Sequence, residues 1–167
     1  MRNRWINLTI FLLFLFEGSI FQFINPSYHG SNVAIVPRFV LTAIILVSIF
    51  KDRKYAFALG IVFGLLYDVV YGDFIGLYTV GLAGIGYFSG WSTQFLHPTF
   101  LIYLFMQLLG FVAFESFLTG MLSLFKMINF QLEWEVIYVL IPSIIINLLF
   151  AALLYTFSEK IQQTASE

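Results

Sequence analysis

The sequence predicts an all-α integral membrane protein with six transmembrane helices. Of its 167 residues, 60% are hydrophobic and only 10% are charged, whereas an ordinary soluble domain carries about 25% charged residues. The apolar residues form six runs, and at ~1.5 Å per residue even the shortest reaches about 25 Å as a helix. The segments between the runs are too short to form a second core. We therefore expect one polytopic membrane domain over residues 1–167 and no soluble catalytic module.

The predicted spans are residues 5–24, 33–50, 55–71, 74–91, 99–124 and 134–157. The first begins like a secretory signal, but Glu17 interrupts it and no small-residue cleavage site follows, so we predict an uncleaved helix. The turn Gly72-Asp73 is so short that the third and fourth spans must form an antiparallel hairpin. Thr99 suits the start of the fifth span, whereas Pro142 predicts a kink inside the sixth. Tryptophan marks three predicted helix ends, as expected at the headgroup level, at positions Trp5, Trp91 and Trp134.

The distribution of basic residues predicts the orientation. Of the 8 lysines and arginines, six fall on the side shared by both termini, and the positive-inside rule assigns that side to the cytoplasm. These six are Arg2, Arg4, Lys51, Arg53, Lys54 and Lys160. Both termini are therefore predicted to be cytoplasmic.

Four charged residues lie far inside the predicted spans, at nearly one depth. Glu17, Arg38, Asp68 and Glu115 fall ~18–24 Å from the cytoplasmic edge, although an ionisable group inside a bilayer costs at least ~2.5–3.5 kcal/mol unless it is paired or solvated. Because a short loop joins the first two spans, we expect an ion pair between Glu17 and Arg38. Two interpretations stay open: the four groups are polar contacts between helices, or their acidic excess lines an outward-facing cavity.

A second polar layer is predicted nearer the cytoplasm. Gln107 and Asn147 both fall ~12 Å from the inner edge, each on a polar stripe of its own span. The stripe of the sixth span contains Ser143 and Asn147, and we expect it to meet the stripe of the fifth. Polar contact between helices is the favoured interpretation here.

Small residues indicate where helices pack closely. Gly60, Gly64 and Asp68 recur every four residues on one face of the third span, and the fourth span is rich in glycine. Such faces permit close backbone approach, both within a chain and with a partner helix. We expect the hairpin of spans three and four to form the packed centre. The predicted helix-packing or partner-binding glycines are Gly60, Gly64, Gly72, Gly76, Gly81 and Gly84.

Signatures of enzymes, metal sites and nucleic-acid binding fail in this sequence. Asp68 and Asp73 resemble the aspartates of intramembrane aspartyl proteases, but five residues apart at one helix end they cannot face each other across a site. His29 and His97 are predicted on opposite sides of the membrane, so they cannot share a metal. With no cysteine, no phosphate loop and no basic aromatic stripe, we expect neither catalysis nor a cofactor nor a nucleic-acid partner.

Four segments resemble the MreD family of rod shape-determining proteins: LFLFEGSIFQF, VPRFVL, KDRKYAF and GIVFGLLYDVVYGDFIGLYTV. The strongest motif is the series Gly64, Asp68, Gly72 and Gly76. The resemblance implies a non-enzymatic scaffold of the cell-elongation and peptidoglycan-synthesis machinery in the bacterial cell membrane. It also implies MreC as the partner, bound through membrane helices, and through MreC the proteins MreB, RodA and a class B penicillin-binding protein. The implied fold is similar to the substrate-binding subunits of energy-coupling factor vitamin transporters.

Two other functions stay open at this stage. In a vitamin-type substrate-binding subunit, Glu17, Arg38, Asp68 and Glu115 would line the ligand pocket. In a small proton-coupled carrier, Asp68 and Glu115 would be the proton sites.

Overall fold

A computed structural model describes residues 3–24, 35–72, 74–126 and 136–164, and the regular elements in these segments are all helices. The six α-helices are α1 Asn3–Ile24, α2 Phe39–Phe50, α3 Arg53–Val70, α4 Leu77–Trp91, α5 Phe100–Leu124 and α6 Ile141–Thr164. A 3₁₀ turn, Ser92–Gln94, follows α4, and a π-helical turn, Val136–Leu140, precedes α6. Each predicted apolar run therefore contains one helix. The outer segments with Tyr28, His29 and Trp134, and residue Asp73, lie outside the described residues.

Helix α2 starts later than its apolar run predicts. Residues 35–38 have no helical structure, and the helix begins at Phe39 rather than at residue 33. The cause is Pro37, which lacks an N–H and disfavours helical geometry at the residue before it. With 12 residues, α2 is only about 18 Å long, which is shorter than the ~30 Å thickness of a hydrocarbon layer.

Helix α4 also starts inside its apolar run. It begins at Leu77 rather than at residue 74, after Gly76, whose φ of 108° favours glycine. A left-handed residue at this position turns the chain sharply between the end of α3 and the start of α4. The connection between α3 and α4 is therefore residues 71–76 rather than the two-residue turn that we predict, and α3 and α4 still pack against each other as a hairpin.

Proline at position 142 changes the type of helix at the start of α6. The π-helical turn ends at Leu140, and Pro142 is the second residue of the α-helix that follows. Because the π turn runs directly into the α-helix, Pro142 lies inside a continuous helical segment, and its missing N–H removes one hydrogen bond there. The change from π to α geometry lies at this proline.

The core is built around α2, which contacts all five other α-helices. Ten of its 12 residues are buried, as expected of a helix that is hydrophobic on every side. The hairpin of α3 and α4 is tightly packed, as predicted: a Cβ added at Gly60 would lie 2.5 Å from the Cα of Ala83. The centre of the molecule is nevertheless α2, because it packs against each of the five other α-helices.

The outer surface of the bundle is apolar. Among the described residues, Phe100–Leu124 and Tyr138–Ser158 are long and apolar enough to cross a bilayer, judged by length and composition. Large hydrophobic side chains on several helices are exposed, including Val69, Ile75 and Leu101. Exposed apolar surface of this extent is typical of a protein whose solvent is lipid.

Candidate functional site

Asp68 lies near the end of α3 and caps the amino terminus of α4. Its Oδ2 accepts hydrogen bonds from the backbone N–H of Gly76 at 2.8 Å, the N–H of Thr79 at 3.2 Å and the hydroxyl of Thr79 at 2.5 Å. Its Oδ1 accepts from the N–H of Tyr78 at 2.8 Å. The carboxylate is only 2% exposed. These donors are the orphan N–H groups of a helix start, and the positive end of the helix dipole favours an acid there.

Glu17 makes the equivalent contact with α2. It is buried on α1, and its Oε2 accepts from the backbone N–H of Val40 at 3.1 Å, in the first turn of α2. The carboxylate also lines a small pocket with Arg38 and Tyr67, in which there is no room for a water molecule. The two buried acids, Glu17 and Asp68, are therefore both bound to helix amino termini.

Arg38 forms an ion pair with Glu115, so the predicted pair with Glu17 is wrong. The distance from Arg38 Nε to Glu115 Oε1 is 2.7 Å, and each side chain is 14% exposed. The guanidinium also lies over the rings of Tyr78 and Phe114, 5.6 and 5.3 Å from their centroids, at which distance a cation is attracted to the ring face. The prediction failed because Arg38 is the N-cap residue of α2 rather than part of its second turn, which changes where its side chain points.

The unwound segment before α2 is held by α6. Asn147 accepts at Oδ1 from the N–H of Arg38 at 2.7 Å and donates from Nδ2 to the carbonyl of Val36 at 3.0 Å. The hydroxyl of Ser143 accepts from the N–H of Val36 at 2.8 Å. Pro37 has no N–H to satisfy. Non-helical backbone at membrane depth requires such internal partners, and these two side chains supply them.

The second predicted polar layer does not form as a contact between α5 and α6. Gln107 donates from Nε2 to the hydroxyl of Thr42 at 2.7 Å, and that hydroxyl donates to the carbonyl of Arg38 at 2.9 Å. Gln107 and Asn147 thus both bind the start of α2, from two different helices. Sequence reasoning missed Val36, Thr42 and Thr79; the one signal was Pro37, which predicts a break in the apolar run.

Most of the predicted glycines pack helices within the chain. A Cβ at Gly64 would collide with the backbone of Thr79, and one at Gly81 would lie 2.8 Å from the ring of Phe114. At Gly72 a Cβ would lie 2.8 Å from the carbonyl of Asp68. By contrast, a Cβ at Gly84 would meet nothing within 4 Å, and the same holds at Gly76, where the positive φ is the constraint. Of the six, Gly84 is therefore the open position on regular helix.

The charged residues do not share one cavity. Glu17 and Arg38 line the small pocket. Glu115 lines a larger cavity of about 610 Å³ between α5 and the start of α6. Asp68 lines neither of these two. The hypothesis from the sequence is one outward-facing cavity lined by all four residues, in which water or a ligand would lower the cost of three acids beside one base. Two helix amino termini and one ion pair accommodate this acidic excess instead.

Within the described segments, no group of three or more histidine, cysteine, aspartate or glutamate side chains could hold a metal ion. His97 lies in the loop before α5, and His29 is outside the described residues.

Comparison with known proteins gave two matches. A family model described as rod shape-determining protein MreD matches residues 2–164. The rod shape-determining protein MreD of Bacillus subtilis (strain 168) is 25% identical over 154 residues, which cover 92% of this chain and 90% of that protein. No solved structure matches.

Proposed function

Because this chain belongs to the MreD family of rod shape-determining proteins, we propose that it is a non-enzymatic membrane scaffold of the bacterial cell-elongation machinery. The observation that carries the proposal is the family match over nearly the whole chain. The polar layer agrees with a structural role, since its acids are occupied by helix starts and an ion pair. Carboxylates that are engaged in this way stabilise the fold.

The proposed partner is MreC, bound through its transmembrane helix. In lipid, helices associate by close packing and polar contacts rather than by apolar burial. Gly60, Gly64 and Gly81 are already filled by packing within the chain, so they are not available to a partner. An open glycine among exposed large side chains remains on α4, and this α4 face consists of Val80, Gly84, Tyr87, Phe88 and Trp91.

The α4 face suits a partner helix for two reasons. Its members lie at positions i, i+4, i+7, i+8 and i+11, so they form one stripe along the helix. Gly84 lies midway along this stripe, where an approaching helix could come close to the backbone of α4. We therefore propose that MreC docks here, with Val80 on one side of the glycine and the aromatic rings on the other.

Co-purification from native membranes tests the partner and the surface separately. Gly84→Leu should lower the recovery of MreC at least fivefold, while Gly120→Leu should leave it unchanged. Gly120 is a matched control because it too is open and helical, but it lies on α5. Variants are compared only if they elute as the wild type does and keep its thermal midpoint.

Two outcomes contradict different parts of the proposal. Failure of the wild-type protein to recover MreC under conditions that preserve membrane complexes would contradict the partner. Full recovery of MreC by a folded Gly84→Leu variant would remove the α4 face from the interface but leave the partner intact. Gly64→Leu cannot serve as the test, because its side chain would separate α3 from α4.

The topology and the wider complex are also part of the proposal. We propose six membrane spans with both termini in the cytoplasm, supported by the positive-inside distribution of basic residues. Cysteines introduced near residues 2 and 165 should both be labelled only from the cytoplasmic side. We further propose contact with MreB, RodA and a class B penicillin-binding protein through MreC, and a fold similar to the substrate-binding subunits of energy-coupling factor transporters.

A further inference from the structure

The cavity beside Glu115 has two chemically different walls. It lies between the carboxyl-terminal half of α5 and the first turns of α6, and its volume is about 610 Å³. Small-molecule sites usually measure ~300–1,000 Å³. One wall is apolar and is formed by Phe117, Met121, Leu124, Val139 and Leu140. The other is hydroxyl-rich, which is unusual on a helix as apolar as α5.

The hydroxyl wall comes from one stripe of α5. Ser116, Thr119 and Ser123 lie at positions i, i+3 and i+7, so their side chains point the same way, and all three line the cavity. None of the three hydroxyls makes a hydrogen bond to another residue in the part of the chain that the structure describes. Since a polar group facing an apolar environment is costly unless it is hydrogen-bonded, this wall has hydrogen-bonding capacity that a ligand could use.

Among the described residues, the charge beside the cavity is balanced. Glu115 is its one charged lining residue among the described segments, and Oε1 of that carboxylate already accepts from Arg38. A cationic headgroup would therefore compete with the guanidinium, and an anionic one would face the carboxylate. A neutral headgroup that carries hydroxyls could instead donate to the carboxylate and exchange hydrogen bonds with the hydroxyl wall.

From these observations we propose that the cavity binds a neutral, hydroxyl-bearing amphiphile, such as a lipid with a glycerol or sugar headgroup. The headgroup lies against Glu115, Ser116 and Thr119, and one acyl chain lies along the apolar wall toward Leu124 and Leu140. The site is independent of MreC binding, because it uses α5 and α6 rather than the α4 face. It also goes beyond a scaffold role, since it makes the protein a lipid-binding one.

Photolabelling in vesicles tests this proposal. The purified full-length protein is reconstituted in phosphatidylcholine vesicles that contain a monoacylglycerol with a diazirine on its acyl chain, and labelled peptides are identified by mass spectrometry. We expect labelling to concentrate on residues 117–124 and 139–143. Excess unlabelled monoacylglycerol should reduce it at least fivefold, whereas free glycerol should not.

Three variants separate a site from general contact with lipid. Gly120→Leu should fill the cavity, because Gly120 lines it and has open space at its Cβ position, and should reduce labelling at least fivefold. Thr119→Val removes a hydroxyl with little change of shape and should weaken competition by monoacylglycerol about threefold or more. Gly84→Leu is the control. It should change neither the labelling nor the competition by monoacylglycerol, although it should lower MreC recovery.

Either of two results would overturn the proposal. The first is labelling that indicates contact with bulk lipid. It would appear either as equal labelling of the same peptides by a diazirine phosphatidylcholine, or as labelling that persists in a folded Gly120→Leu variant. The second is displacement by free glycerol, which would mean that a soluble polyol rather than a lipid occupies the site.

Discussion

Replacing Asp68 with asparagine should destabilise the protein by roughly 2–4 kcal/mol. The two carboxylate oxygens accept four hydrogen bonds from the start of α4, three of them at Oδ2. Asparagine has one acceptor oxygen, so at best its amide N–H₂ faces the N–H of Tyr78 and leaves that donor unpaired, at a cost of about 1–3 kcal/mol. Loss of the charge at the helix amino terminus adds up to about 2 kcal/mol in a buried setting. Equilibrium unfolding in mixed micelles measures the difference.

Asp52 offers a matched control for this substitution. It is also an N-cap aspartate, and its oxygens accept from the N–H groups of Lys54 and Tyr55 at 3.1 and 3.3 Å at the start of α3, but the site is exposed. Asparagine caps an exposed helix about as well as aspartate, so Asp52→Asn should change the free energy of unfolding by less than about 0.5 kcal/mol. Equal losses at the two sites, or a loss below 0.5 kcal/mol at Asp68, would refute the reasoning.

Three further predictions follow from the packing and the polar contacts. In a double-mutant cycle, Arg38→Gln and Glu115→Gln should each destabilise the protein and should couple by about 1–3 kcal/mol; additive losses in unfolding free energy would contradict the ion pair. Gly64→Ala should lower the thermal midpoint because its Cβ would collide with α4, whereas Gly84→Ala should leave it unchanged or raise it; equal midpoints would contradict the close packing. Asn147→Leu should cost about 1–3 kcal/mol, since it leaves one part-buried donor and one part-buried acceptor of the unwound segment without a partner, and hydrogen exchange at the amides of Val36 and Arg38 should rise; unchanged exchange would contradict this role of Asn147.

The sequence predicted the number and order of the helices well, for a physical reason. Each apolar run is long enough to exclude a strand or a loop, and the connections are short, so neighbouring helices have few arrangements. The close contact of α3 with α4 was also predictable, because Gly60 and Gly64 recur at the spacing that places them on one face. These features depend only on local spacing.

The helix starts were less predictable, and the errors at the polar layer follow from them. The length of an apolar run predicts which residues lie in lipid, whereas Pro37 and Gly76 determine where α2 and α4 begin. A shift of the start of α2 from residue 33 to Phe39 exposes backbone groups that the sequence gives no reason to look for. It also makes Arg38 an N-cap, so its side chain is directed to Glu115 on α5 rather than to Glu17 on α1.

The common depth of the four charged residues now has a structural explanation. If both α2 and α4 run inward and end at the cytoplasmic edge, their lengths of 12 and 15 residues place their amino termini about 18 and 22 Å from it. This is the level that the sequence predicts for Glu17 and Asp68, which cap these two helices. Arg38 lies at the same level because it precedes α2, and Glu115 lies there because it pairs with Arg38. With this topology, the layer is a consequence of two helices that begin inside the membrane. Glu115 lines the cavity of about 610 Å³, so it is the member of the layer with capacity left for binding.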